Sequence, residues 1–107
     1  MRDEFSENLL NIIKSKKNEN PKLSYTALLH QKGLSEILNK IAEEAEETIN
    51  AAKSEGNEAL IHEVADLWFH CLVLLSQKNL RVGDITNELK KRQGTSGIEE
   101  KNNRERS

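Results

Sequence analysis

Acidic side chains recur at helical spacing in two neighbouring stretches of this chain. In the first stretch, one stripe of the helix surface holds Lys40, Glu43, Glu44 and Glu47. Residues three or four apart lie side by side on a helix surface, so these side chains can touch. The second stretch places Glu63 and Asp66 three residues apart among apolar residues. Because an ionised carboxylate in apolar surroundings costs on the order of several kcal/mol, these groups require protons, basic partners or a metal ion.

The carboxylates can converge if the two stretches are helices joined by a short turn. The turn is predicted at SEGN, residues 54–57, and so short a link favours an antiparallel helical hairpin. In that hairpin Glu44 and Glu47 can face Glu63 and Asp66. An all-oxygen site suits Mg²⁺ or Mn²⁺, whose free coordination positions substrate phosphates can fill. Zinc and ferritin-like iron sites are disfavoured, because the chain has a single cysteine, no zincin spacing of histidines and no Glu-x-x-His pair.

The elements that must position these residues are all predicted to be helices. The spacing of apolar residues indicates an all-α fold, a bundle of about five helices around the antiparallel central hairpin. One proline and five glycines leave few helix breakers, and no stretch alternates with the period of a strand. Ser24 is expected to cap the second helix and Asp84 the fifth. The predicted helices cover about residues 3–17, 25–31, 34–53 and 58–77, with the last one running from Asp84 to Gly94.

Composition limits the size of the fold and its partners. We expect one domain over residues 1–107, with an N-terminal helix and linker over about 1–20 and a polar tail over about 95–107. Hydrophobic residues make up 36%, so the core is thin and a helical oligomer can supply missing burial. A net charge of -2 argues against nucleic-acid and membrane partners. The single cysteine, the absence of a secretory signal and the lack of an uncharged apolar span predict a cytoplasmic protein.

The text around the acidic residues resembles a known enzyme superfamily. KIAEEAEETINAA and EVADLWFH resemble the Glu-Glu-x-x-Glu and Glu-x-x-Asp signature of the all-α, MazG-type nucleotide pyrophosphatases. Within that superfamily SYTALL, ADLWFHCLVLL and NELKKRQGTSGIEEK look like the phosphoribosyl-ATP pyrophosphohydrolase family of histidine biosynthesis. The likeness covers about residues 21–101, and the first helix matches nothing diagnostic.

The resemblance implies hydrolysis of phosphoribosyl-ATP at its α–β phosphoanhydride, giving phosphoribosyl-AMP and pyrophosphate by a Mg²⁺-activated water. It also implies an α-helical homodimer with its active site along the acidic helices, near the contact between subunits. The implied metal ligands are Glu44, Glu47, Glu63 and Asp66. Lys40 is expected to bind phosphate, and the candidates for assisting the water are Glu43, Glu44 and Glu47. Trp68-Phe69 stands where the family often has an aliphatic residue and a tyrosine.

Several alternatives stay open at this stage. A house-cleaning pyrophosphatase for dUTP or another NTP would use the same four carboxylates, and a non-enzymatic helical interaction module would use the acids as a solvated surface. His70 could orient a carboxylate ligand or be a satisfied core histidine. Tyr25 and Ser24 could border the nucleotide or serve only capping and packing.

Four further predictions concern individual residues. His30 and His62 are expected at the surface or its boundary, and Cys71 is expected to be a small core hydrophobe. The tail residues Arg92, Ser96, Gly97 and Lys101 could close over substrate phosphate.

Overall fold

The computed structural model describes residues 4–93, and this part of the chain contains helices and no strand. The expected all-α fold is confirmed. The five helices are α1 (Glu4–Ser15), α2 (Tyr25–Lys32), α3 (Leu34–Ser54), α4 (Asn57–Gln77) and α5 (Val82–Lys91). The proposed tail contacts of Ser96, Gly97 and Lys101 lie outside the described residues.

The two longest helices form the antiparallel hairpin that the acidic spacing requires. Helices α3 and α4 have 21 residues each, about 30 Å of helix, and only two residues link them. Glu55 is extended and donates its backbone N–H to Ala51 O at 3.0 Å, which ends α3. The other helices pack around the far end of this hairpin.

The core lies at that far end, where all five helices contribute. Its buried side chains are Leu10 and Ile13 of α1, Leu29 of α2, Ile37 of α3, Leu72, Val73 and Leu75 of α4, and Val82 of α5. Between residues 42 and 68, all of which the structure describes, Ala51 alone is buried. The turn end of the hairpin therefore projects from the core, and the described fold is elongated, with principal extents of 47 × 35 × 26 Å.

Helix α4 is less buried than its nearly continuous apolar sequence predicts. By length and composition it could cross a membrane, since the mean hydropathy of its most apolar stretch is 1.4. Only 28% of that stretch is buried inside the protein. Ile61 is 69% exposed, and Val64 and Trp68 are also exposed. The same helix carries Glu63 and Asp66 near its middle, and an acidic residue at a bilayer centre costs about 2.5–3.5 kcal/mol. The apolar side chains of α4 are therefore better explained by packing against another helix than by contact with a membrane.

Helix α5 begins earlier than predicted, because Asp84 is not its N-cap. The helix starts at Val82, and Asp84 Oδ2 instead accepts the backbone N–H of Arg81 at 2.9 Å. The open N–H groups of Val82 and Gly83 donate to the Glu7 carboxylate of α1 at 3.2 and 3.0 Å. A side chain 75 residues away thus provides the cap, and it joins α1 to α5.

The connection from α2 to its neighbours uses polar groups as well as apolar ones. Ser24 Oγ accepts the Ala27 N–H at 3.1 Å, which confirms the predicted cap. His30 is buried, so its predicted place at the surface or its boundary is wrong. Its Nδ1 lies 2.7 Å from Thr26 O and its Nε2 lies 2.8 Å from Ser76 Oγ. A carbonyl only accepts, so Nδ1 carries the proton and Ser76 of α4 donates to Nε2.

We predict that Glu7→Ala lowers the free energy of unfolding by about 1–2 kcal/mol, because the first amides of α5 lose their acceptor. Urea denaturation followed by circular dichroism measures the change, with Glu19→Ala, in the exposed linker, as the matched control. Equal stabilities for the two variants would show that the Glu7 contact does not hold α5 in place.

Candidate metal centre

The first group of acidic side chains bridges the hairpin at mid-length. Glu44 and Glu47 lie one turn apart on α3, and Glu63 faces them from α4. One carboxylate oxygen from each of the three lies within 4.8 Å of the others. The antiparallel register produces this arrangement, because the short turn pairs the second half of α3 with the first half of α4.

A second group shares Glu63 with the first and extends it along α4. His62 Nε2 lies 3.2 Å from Asp66 Oδ2 and 3.8 Å from Glu63 Oε1. All three side chains offer ligand atoms within 4.8 Å of one another. The four carboxylates expected to bind metal thus lie in two adjoining groups, which we call the acidic cluster: Glu44, Glu47, Glu63 and Asp66.

Two carboxyl groups of the acidic cluster, those of Glu44 and Glu63, have raised pKa values. Burial raises the pKa of Glu44, as do the negative charges of Glu47 and Asp66, while His70 acts in the opposite sense. A hydrogen-bonding contact with Glu47 raises the pKa of Glu63, and burial and the charges of Glu47 and Glu44 add to it. A cation placed among these oxygens would remove the charge repulsion that contributes to both shifts.

The unsatisfied atoms of the cluster fit a hard divalent ion. Glu44 Oε2 is buried and accepts no hydrogen bond from any described residue. Buried polar atoms normally have a partner, so this oxygen is one that a metal ion can satisfy. The donors are carboxylate oxygens with one neighbouring imidazole, a set that matches Mg²⁺ or Mn²⁺.

Lys40 and Glu43 lie beside the cluster and form a pair of their own. Lys40 Nζ donates to Glu43 Oε2 at 3.2 Å. This hydrogen bond raises the pKa of Lys40, so its ammonium stays charged. Glu43 is exposed and belongs to neither group of candidate ligands, which places it at the rim.

Sequence reasoning missed two contacts of the site. His62 is exposed, as predicted, but it reaches Asp66; the i,i+4 spacing of the two could have indicated this contact. Tyr25 Oη lies 2.9 Å from Nε2 of His70, which is only 6% exposed. These two residues are 45 positions apart, so no local spacing in the sequence could have predicted their contact.

His70 satisfies both of its ring nitrogens without contacting a carboxylate directly. Its Nδ1 lies 2.7 Å from the main-chain oxygen of Asp66, one turn earlier on α4. Of the two roles left open for it, the hydrogen bonds favour a satisfied histidine beneath the cluster. Burial raises the pKa of the neighbouring Cys71 thiol, which keeps it protonated and agrees with the small core hydrophobe predicted there.

Comparisons with known proteins agree with the likeness in the sequence. The family model described as phosphoribosyl-ATP pyrophosphohydrolase matches residues 6–93. The chain is 53% identical over 100 residues to the phosphoribosyl-ATP pyrophosphatase of Hydrogenovibrio crunogenus, covering 90% of this chain and 88% of the relative. It is 48% identical over 102 residues to the protein of that name from Vesicomyosocius okutanii, with 95% and 97% covered. The Methylococcus capsulatus relative is 50% identical over 96 residues, with 90% and 91% covered.

We predict that a rise in pH lowers the stability of the metal-free protein and that added Mg²⁺ increases it. Glu44 and Glu63 have raised pKa values in the folded state, so the folded protein holds their protons more tightly than the unfolded chain does. This proton binding contributes fully to the free energy of unfolding below the usual pKa of 4.5, and the contribution is lost as pH rises through the raised values. Glu63→Gln should therefore stabilise the metal-free protein at pH 7 relative to wild type, and the difference should shrink towards pH 4.5.

Thermal unfolding with chelator and with Mg²⁺ tests both parts. Mg²⁺ at about ten times its Kd adds about 1.4 kcal/mol to the stability of the wild type. Glu63→Gln should lose most of this gain, while Glu58→Gln, an exposed control at the start of α4, should keep it. Equal Mg²⁺ stabilisation in the two variants would exclude Glu63 as a ligand.

Proposed function

The chain belongs to the phosphoribosyl-ATP pyrophosphohydrolase family, and from this we infer that it hydrolyses phosphoribosyl-ATP in histidine biosynthesis. We propose that the reaction breaks the α–β phosphoanhydride and gives phosphoribosyl-AMP and pyrophosphate. The observation that supports this most directly is the convergence of carboxylates from α3 and α4 on one position. A solvated interaction surface does not require that convergence.

We propose that the acidic cluster holds Mg²⁺, with Mn²⁺ as a substitute. A triphosphate is strongly anionic, so a pocket of carboxylates can accept it only through cations that both sides share. Bound Mg²⁺ neutralises charge that develops on the phosphates and lowers the pKa of water. The proposed ligands are Glu44, Glu47, Glu63 and Asp66, and the buried, unpartnered Oε2 of Glu44 supports the first of them.

The Lys40–Glu43 pair suggests how substrate binding prepares the attack. The Lys40 ammonium is the proposed phosphate contact, and it now binds the Glu43 carboxylate. When Lys40 turns to a phosphate oxygen, it releases Glu43 at the rim of the cluster. Glu43 then joins Glu44 and Glu47 among the carboxylates proposed to take the proton of the attacking water.

The exposed apolar side of α4 supports a homodimer. Leu60, Ile61, Val64, Ala65 and Trp68 line an apolar groove of about 560 Å³, which we call the α4 groove. At about 100° per residue, Ile61, Ala65 and Trp68 lie on the side of α4 opposite Glu63. We propose that a second copy of the chain covers this groove, which leaves the carboxylates open to substrate.

We place the protein in the cytoplasm as a soluble enzyme. The free thiol of Cys71 is compatible with a reducing compartment. The apolar face of α4 is then covered by the dimer partner instead of lipid. This location suits an enzyme whose proposed substrate is a phosphorylated small molecule.

Pyrophosphate release is the direct test of the activity. Wild type should turn over phosphoribosyl-ATP only when Mg²⁺ or Mn²⁺ is present. Glu44→Gln and Asp66→Asn should each lose at least about 100-fold in kcat at saturating Mg²⁺, because removing a single charge-stabilising group at a reacting centre costs about that much. The exposed Glu58→Gln should keep full activity.

The same assay separates the related functions. Turnover of dUTP or another NTP in preference to phosphoribosyl-ATP would keep the metal centre and assign a house-cleaning role. Full activity of Asp66→Asn would contradict the proposed ligand set.

Light scattering tests the dimer. Ile61→Glu puts a charge into the α4 groove and should convert the protein from dimer to monomer at micromolar concentration. Phe5→Glu changes a residue of α1 that is 74% exposed, and it should stay dimeric. A dimeric Ile61→Glu would place the interface elsewhere.

A further inference from the structure

Tyr25 is an aromatic residue at the rim of the acidic cluster that the metal chemistry does not use. It is the first residue of α2 and is 47% exposed. Burial raises the pKa of its phenol, and the charges of Lys40, Glu44, Glu36 and Glu43 also act on that pKa. Tyr25 therefore lies near the residues proposed to receive the phosphates. An exposed ring in this place calls for an explanation.

The ring is held rigidly despite its exposure. It lies nearly parallel to Phe69, at 20° with 6.5 Å between centroids, and it meets His70 edge-on at 5.8 Å. The N-cap by Ser24 orders the first turn of α2 beneath it. A side chain fixed in this way loses little conformational entropy when a ligand binds to it.

The hydrogen bonds of His70 decide which part of Tyr25 is available to a ligand. His70 Nδ1 lies 2.7 Å from Asp66 O, and since a carbonyl only accepts, Nδ1 carries the proton of the neutral ring. Nε2 is then an acceptor, and Tyr25 Oη donates to it at 2.9 Å. The phenol proton is committed to His70 and is not offered to a phosphate. The exposed part of the ring remains available to a ligand.

We propose that Tyr25 contacts the substrate by stacking on its purine base, and that His70 is the residue that positions it. This inference rests on the proposed hydrolysis of phosphoribosyl-ATP. Phosphates bound at Lys40 and the acidic cluster leave the nucleoside end of the substrate to the neighbouring surface, where the Tyr25 ring lies. Aromatic rings bind bases through their faces, and a purine offers a larger face than a pyrimidine. Tyr25 thereby favours an adenine nucleotide over dUTP.

Steady-state kinetics with product inhibition tests the assignment. Tyr25→Leu should raise both the KM for phosphoribosyl-ATP and the inhibition constant of phosphoribosyl-AMP about tenfold. Its kcat should stay within about twofold, and the inhibition constant of pyrophosphate, which has no base, should not change. Tyr25→Trp keeps an aromatic face and should bind phosphoribosyl-AMP at least half as tightly as wild type. Phe5→Leu removes another exposed ring and should change nothing.

The positioning role of His70 has its own readout. His70→Phe, which removes the acceptor and keeps a ring, should raise the inhibition constant of phosphoribosyl-AMP about threefold when Tyr25 is present. The same substitution should have no further effect in Tyr25→Phe, because that variant has already lost the hydrogen bond. Independent effects of the two substitutions would exclude the positioning role.

A binding measurement without metal keeps the proposal independent of the activity. Adenosine carries no phosphate. In NMR titrations of the wild type with chelator present, it should shift the ring signals of Tyr25 and Phe69. In Tyr25→Leu it should leave the ring signals of Phe69 unmoved. A wild type that fails to hydrolyse phosphoribosyl-ATP would contradict the proposed function, while this titration would still test Tyr25. The stacking role is overturned if adenosine leaves those signals unmoved, or if Tyr25→Leu weakens pyrophosphate and phosphoribosyl-AMP equally.

Discussion

The repulsion between carboxylates across the α3–α4 hairpin is the constraint on which the rest of the structure depends. Oxygens of Glu44, Glu47 and Glu63 come within 4.8 Å of one another. Burial raises the pKa of Glu44 and a hydrogen-bonding contact with Glu47 raises that of Glu63, and the neighbouring negative charges add to both shifts. The packing that opposes this repulsion lies at the far end of the hairpin, where Ile37 and Leu72 are fully buried in one core. The core fixes the register of the two helices, so the cluster is preorganised and a cation meets the oxygens already assembled.

Hydrogen bonds of His70 connect helices α2 and α4 between the core and the acidic cluster. His70 joins the main chain of α4 at Asp66 to the Tyr25 hydroxyl of α2, and one further turn of α4 separates it from the buried core. Closer to the end of α4, the His30–Ser76 contact joins α2 to the same helix a second time. Helix α2 is only eight residues long, so these two side-chain contacts supplement its core residue Leu29 in fixing its orientation.

Local spacing accounts for the parts of the structure that were predictable. Helical period and one short turn suffice to bring Glu44 and Glu63 together, because all the information lies within about 25 residues. The contacts of Tyr25 with His70 and of Glu7 with α5 join residues 45 and more than 70 positions apart, and they depend on how whole helices pack. Asp84 failed as an N-cap for a related reason: an acidic residue is equally favourable in the first turn, and here the N–H groups at that helix start already had the distant Glu7 as acceptor.

The projecting end of the hairpin connects the proposed metal binding with the proposed dimer. From residue 42 to residue 68 only Ala51 is buried, so a single chain gives this half of the hairpin little stability of its own. The proposed cation ties α3 to α4 on one side of this segment, and the proposed partner covers Ile61 and Trp68 on the other. The cation and the partner would both stabilise the same arrangement of α3 and α4. Binding of the cation would then strengthen binding of the partner, and the reverse, by the same factor. In a chain of 107 residues with a thin core, the proposed cation and partner would thus add stability to a hairpin whose register the core already fixes.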